Sequence, residues 1–153
     1  KSWPSFKKIW NKKKLPILLF HTDIFFDPIY LDNIVKSPKE NVIGIHSNNK
    51  IYKKKSIFAY TDKNQLINEL NLQKKRLYKA GEVIGINKIS KTTSNNLFLF
   101  MDRFLIKENK KLNWEFMLDN YIKTKYDSFF VLKNQNFFWT NVNFKKDYLS
   151  VKD

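Results

Sequence analysis

Three glycines and four prolines among 153 residues leave this chain almost nowhere to break or hinge. A long flexible linker of the Gly/Ser or Pro-rich kind has no place in it. The length suits one domain, so residues 1–153 are expected to form a single unit, with a helical segment over about 1–32 at its start. Fourteen Phe, seven Tyr and four Trp, within a hydrophobic fraction of 42%, supply core material and exclude wholesale disorder. The absence of cysteine excludes a disulfide framework, a thiolate zinc site and a catalytic thiol. The longest apolar runs, Ile17 to Phe20 and Leu97 to Met101, fall far short of the ~20 residues of a spanning helix. No membrane span is expected.

Periodicity gives the order of elements. Ser2-Trp3-Pro4 reads as a helix start, with Phe6, Ile9 and Trp10 on one face and Pro16 as its stop. His21 to Tyr30 reads as irregular or short helix. Asn41 to Ser47 is a strand by its β-branched content, and Ile51 to Tyr60 a second. Thr61-Asp62 is expected to cap a helix running to about Lys74. Gly81 and Gly85 mark Leu77 to Ser90 as a bent strand or hairpin. Ser94 should cap an amphipathic helix whose apolar stripe is Leu97, Phe100, Met101, Phe104 and Leu105. Leu112 to Ile122 reads as a further helix. Tyr126 to Lys133 and Gln135 to Phe144 read as paired strands. This order predicts an α+β fold, with helices packed on one face of a mostly antiparallel sheet.

The charge speaks to partners. The formal net charge is +15, and of 29 basic residues only Arg76 and Arg103 are arginine. Lysines cluster at Lys12 to Lys14, Lys53 to Lys55, Lys74-Lys75-Arg76, Lys110-Lys111 and Lys145-Lys146. A surface this positive repels itself until a polyanion neutralises it, and phosphate backbones are the default polyanion. Abundant Lys, Asn, Ile and Phe beside scarce Ala, Gly and Arg is the bias of AT-rich coding. Codon supply therefore accounts for some of the lysine, but not for acidic residues being half as numerous.

Four short stretches, in order, resemble the universal large-subunit ribosomal protein family number five. The first, N-I-V-K-S-P-K-E-N-V-I-G-I-H-S-N from Asn33 to Asn48, is similar to N-V-M-Q-V-P-K-I-E-K-I-V-I-N-M-G. The second, Gly81 to Ile106, is similar to a G-x-P-I-G-C-K-V-T strand and an E-F-L-D-R-L-I helix, with Gly81, Ile84, Gly85, Lys88, Asp102 and Arg103 in place. The third, Ser128 to Phe144, resembles S-F-G-I-K-E-Q-I-I-F-P-E-I-D-Y. A shorter echo, L-I-N-E-L-N-L from Leu66 to Leu72, resembles A-L-N-E-L-T-L. The family's long hairpin loop after that echo is cut back here to Gln73 to Ala80, and its R-D-F-R-G segment is not recognisable.

The resemblance implies a family-five-like fold and a structural, non-catalytic constituent of the large ribosomal subunit at the central protuberance, in a mitochondrial or plastid-type organelle. The implied partners are large-subunit rRNA, with 5S rRNA a candidate, neighbouring ribosomal proteins and a bridge to the small-subunit head. No cofactor is expected. Asn33 is placed by the resemblance where the family touches RNA, with Lys36 and Lys39 beside it as phosphate contacts. Lys53, Lys54, Lys55, Lys74, Lys75 and Arg76 are further RNA-binding candidates by charge, and Lys88 by its motif position. Two other readings fit the composition: a basic accessory subunit of a mitochondrial membrane complex, and an RNA-binding module outside the ribosome. His21, Asp23 and Asp27 lie close in sequence but lack further ligands at metal-site spacing. Gly81 and Gly85 lack the Gly-Lys-Ser/Thr ending of a phosphate loop. Trp3, Trp10, Trp114 and Trp139 are read as core or contact anchors before stacking platforms.

Overall fold

A computed structural model describes residues 15–47, 56–72, 79–108, 114–134, 137–142 and 145–149. Among the described residues, eight strands and four helices follow in the order β1 (Ile17–Phe20), β2 (Ile24–Phe26), α1 (Pro28–Lys36), β3 (Val42–His46), β4 (Ile57–Thr61), β5 (Ile67–Leu72), β6 (Lys79–Ile89), α2 (Lys91–Glu108), α3 (Trp114–Thr124), β7 (Phe130–Asn134), β8 (Trp139–Asn141) and α4 (Lys145–Leu149). The main sheet runs β5-β4-β6-β3-β7, with β1 also paired to β6, and β2 pairs with β8 in a small separate sheet. Only β3 and β7 pair in parallel; the other named pairs are antiparallel. The class is α+β with a mixed, mostly antiparallel sheet.

The helices do not all lie on one face. Ile43 and Ile45 of β3 enter a core with Leu97 and Met101 of α2 and with Met117, Leu118, Tyr121 and Ile122 of α3. Alternate residues of a strand point to opposite sides. Gly44, between those two, therefore faces the other way, where a Cβ would stand 3.0 Å from the Tyr30 hydroxyl and 3.2 Å from Ile34. Tyr30 and Ile34 of α1 form a second core with Ile84 and Ile86, flanked by Ile24, Phe26 and Trp139 of the small sheet. The sheet is thus sandwiched, and the one-face expectation is corrected: β3 and β6 are apolar on both sides, as buried central strands are.

Three local expectations also change. Of the proposed helical start, residues 1–14 lie outside the described residues, while 17–20 and 24–26 are strands. The helix expected from Thr61 is strand β5, because the Asp62 carboxylate closes a turn instead, accepting from the amides of Asn64 (2.8 Å) and Leu66 (3.0 Å). Gln65 then takes a left-handed φ of 67°, which ends any helix there. Finally, β7 and β8 do not pair with each other: β7 joins β3 and β8 joins β2. The strand at 41–47, the bent strand around Gly85 and the helix near 112–122 are found as expected. So is the helix over 97–105, except that it starts at Lys91, where the Ser90 hydroxyl accepts from the Thr93 amide, and holds Ser94 inside it rather than as its cap.

The two outer strands of the main sheet meet at one corner. The Ile67 amide donates to the Phe129 carbonyl at 2.8 Å and the Val131 amide to the Gln65 carbonyl at 3.3 Å. Further along β5, the buried Asp119 of α3 accepts from the Leu70 amide at 2.8 Å. A side chain thereby caps a sheet edge that would otherwise present a bare donor.

Candidate functional site

Register places a row of side chains across the sheet on the α1 side. Phe58 pairs with Asn71 on one flank and Glu82 on the other, and Glu82 pairs with His46. Residues paired this way project to a common face. At the centre of the row the Ser56 hydroxyl donates to Glu82 Oε1 at 2.5 Å. The His46 ring lies 5.7 Å from that of Trp139. His46 Nδ1 and Trp139 Nε1 are buried and have no hydrogen-bond partner among the described residues. A buried polar atom left unpaired costs about 1–3 kcal/mol, so this row is a polar patch whose hydrogen bonding is incomplete among the described residues.

The row is also where the lysine-rich stretches attach. Residues 47 and 56 flank a connection containing Lys50, Lys53, Lys54 and Lys55. Leu72 pairs with Ile57, beside Ser56, and leads into a connection containing Lys74, Lys75 and Arg76. Those six candidates, Lys53 to Lys55 and Lys74 to Arg76, lie outside the described residues.

The other candidates gather at the opposite end of the same face. Asn33 and Lys36 are exposed on α1, and Lys36 has Asp32 one turn back at 3.8 Å. Lys39 Nζ stands 4.3 Å over the Phe130 ring. Lys88 is engaged in the fold: its ammonium donates to the carbonyls of Val35 (3.0 Å) and Ser37 (2.8 Å), closing the C-terminus of α1. Motif position marked Lys88 as an RNA-binding candidate; in the fold its ammonium caps the end of α1.

His21, Asp23 and Asp27 diverge. His21 Nε2 reaches Glu115 of α3 at 3.3 Å, whereas Asp27 caps α1 through the Ile29 amide at 2.9 Å. Among the described residues there is no group of three His, Cys, Asp or Glu that could hold a metal ion. Trp114 and Trp139 pack, half-buried, against the two cores, while Trp3 and Trp10 lie outside the described residues. Leu97 and Met101 are buried and Phe100 and Phe104 pack against them, as the stripe predicts. No described helix is long and apolar enough to cross a membrane. The sequence alone gives no role to Ser56 or Glu82. Nothing local marks that pair, because 26 residues separate them and only the β4–β6 register joins them.

No family model and no curated relative matches the sequence. Solved structures do match in fold. The inositol-1-phosphate CTP transferase of T. maritima superposes with a TM-score of 0.72 at 13% identity, over 95% of this chain and 57% of that one. The CTP:phosphocholine cytidylyltransferase of Streptococcus pneumoniae gives 0.66 at 13% identity, over 96% and 61%. A nucleoside-diphosphate-sugar pyrophosphorylase of Vibrio cholerae gives 0.62 at 10%, over 94% and 60%. This chain therefore spans about three fifths of the length of each.

These likenesses overturn the ribosomal resemblance and what hung on it. These three structures are of nucleotidyltransferases and a related enzyme, not of ribosomal proteins. The roles of structural ribosomal constituent and non-enzyme, and the partners rRNA and ribosomal proteins, are corrected accordingly. The physical reason is that the four matching stretches are short and consist of residues with local structural duties. Gly81 and Gly85 admit a neighbouring backbone and the His21 ring, Lys88 caps α1, and the L-I-N-E-L-N-L echo of a helix is strand β5.

Proposed function

We propose that this chain is a nucleotide-binding domain of the nucleotidyl-transfer type, holding the phosphates of a nucleoside triphosphate with lysine. One observation carries the reading: the fold likeness to the T. maritima transferase over 95% of the chain. The charge supports it. In nucleotidyl transfer a phosphorylated acceptor attacks the α-phosphorus and pyrophosphate leaves, so two anions must approach each other. Fixed positive charge offsets that repulsion and the charge on the departing pyrophosphate. At about 4 Å a solvated lysine–phosphate contact contributes about 1 kcal/mol, so several are needed, and a net +15 supplies them.

The row of Ser56, Glu82, His46 and Trp139 is the proposed seat of the nucleoside, because His46 Nδ1 and Trp139 Nε1 have no hydrogen-bond partner among the described residues and β3, β4 and β5 lead into the two lysine-bearing stretches of the sequence. Lys53 to Lys55 and Lys74 to Arg76 are the proposed phosphate contacts, with Asn33, Lys36 and Lys39 as a second, outer set. No described residue is assigned to activating the acceptor. The match across nearly the whole chain supports reading 1–153 as one domain, and the AT-rich coding bias supports an organellar, mitochondrial location.

The test is exchange of labelled pyrophosphate into a nucleoside triphosphate by the full chain, across a panel of phosphorylated acceptors. Incorporation that the Lys53→Ala/Lys54→Ala/Lys55→Ala variant abolishes is expected. A chain that binds no nucleotide and exchanges no pyrophosphate ends the proposal.

A further inference from the structure

The edges of the main sheet are treated in two different ways. At the corner of β5 and β7 the edge is closed: amide-to-carbonyl bonds run from Ile67 to Phe129 and from Val131 to Gln65, and Asp119 caps the Leu70 amide. Along β7 the exposed Lys133 adds a charge, a common protection of a strand edge. β1 has none of these devices. It is Ile-Leu-Leu-Phe, without charge or bulge, and among the described residues it pairs with β6 alone. In the same register the His21 amide donates to the Gly85 carbonyl at 2.9 Å. Antiparallel pairs alternate between bonded and non-bonded, so Ile17 and Leu19 also bond to β6. Leu18 and Phe20 turn their N–H and C=O groups away from it, and among the described residues nothing takes those groups up.

Both faces of β1 are apolar. Ile17 packs against the first core and Leu18 against the second, yet Ile17, Leu18 and Leu19 stay half-buried and Phe20 is 38% exposed. A strand apolar on both faces belongs inside a sheet, and an uncharged bare edge is a template for one more strand. The charge decides whose strand fits. A second copy of this chain brings another +15 and is repelled. Lys91, exposed at the start of α2, follows by two residues Ile89, the partner of Ile17. A carboxylate arriving at that end of the edge is attracted instead.

We propose that the free edge of β1 takes up an extended apolar strand with acidic ends from a partner polypeptide. Main-chain bonds to Leu18 and Phe20 hold it, and its side chains continue the apolar layers on both faces of the sheet. The proposal does not rest on nucleotide binding and uses none of the residues of the Ser56 row.

The probe is the peptide acetyl-Asp-Glu-Val-Ile-Val-Ile-Glu-Asp-amide, added to the full chain. Before addition, hydrogen exchange at the Leu18 and Phe20 amides is expected to run at least about tenfold faster than at Leu19. The peptide should slow both. Leu18→Pro removes an outward N–H and no bond to β6, a substitution that edge strands accept. It should leave the melting temperature close to its original value and weaken peptide binding about tenfold, as for one lost main-chain bond. Lys91→Glu, changed at an exposed site, should weaken binding of this peptide and favour the same sequence ended in lysine. Leu18 and Phe20 amides already protected in the free chain, by its own residues or by a second copy, would overturn the proposal. So would exchange that the peptide does not slow, equal binding of the acidic and lysine-ended peptides, or binding unchanged in a folded Leu18→Pro variant.

Discussion

Gly85 shows how one residue fixes the join between two halves of the central strand. Its φ is +82°, and a Cβ there would stand 2.5 Å from the His21 ring. The kink separates the part of β6 that pairs with β4 from the part that pairs with β1. Gly85→Ala is expected to cost at least about 1–3 kcal/mol, the range for a residue forced into a rare backbone region, and more if His21 cannot withdraw. Denaturant titration measures it, and a neutral result would show that this kink is not needed. The sequence marked this glycine as a bend without indicating its partner, since His21 is brought there by β1. Tyr30 and Tyr121 give a second test. Burial pushes both phenols above their ordinary range, and the Asp127 carboxylate beside Tyr121 adds to the effect. The folded chain therefore keeps protons that the unfolded chain releases above about pH 10, so stability falls as pH rises past that point. Below pH 9 these groups contribute no slope. Thermal melts between about pH 8 and 11 should show the fall, lessened in Tyr30→Phe, and a flat profile would contradict the burial.

At the level of elements, what the sequence revealed and what it hid follow one physical line. Elements carrying their own period, such as α2 with its stripe or β3 with its β-branched run, were legible. Asp27-Pro28 was a legible helix start, cap followed by proline, that an aromatic-rich context disguised. By contrast, Leu66 to Leu72 suits either a helix or a strand by spacing alone. Its conformation was decided by the Asp62 turn and by pairing with β4, a tertiary override of local preference. The partners of β7 and β8 were equally hidden, because strand pairing is set by distant chain. Asp119 tests the account of the β5 edge. Asp119→Ala strips the Leu70 amide of its acceptor and Lys123 of its 2.5 Å partner. A loss of about 1–3 kcal/mol is expected, the cost of an unsatisfied buried group. Asp119→Asn keeps an acceptor oxygen and should recover much of it. Hydrogen exchange at the Leu70 amide reads the cap alone, and unchanged protection in Asp119→Ala would refute it.

Across the whole molecule, composition pointed to a polyanion and could go no further. Lysine draws any phosphate, so charge distinguishes neither polymer from nucleotide nor scaffold from enzyme. Short motif likenesses then led to a ribosomal reading, which the three-dimensional match to nucleotidyltransferases overturned. The candidate site was partly legible. The lysine clusters proposed as its phosphate contacts stand out in the sequence, but the row of Ser56, Glu82, His46 and Trp139 exists only through the pairing of β3, β4 and β6 and the seating of β8.

The chain is proposed to hold a nucleotide, with specific contacts added to the pull of its charge. Calorimetric titration of the full chain with a nucleoside triphosphate, set against inorganic tripolyphosphate at matched salt, tests it most directly. The account predicts tighter binding of the nucleotide, an advantage that survives added salt and is lost in a Trp139→Ala/His46→Ala variant, while tripolyphosphate binding by the same variant stays unchanged. Equal affinity for the two ligands, both fading together as salt rises, would contradict it.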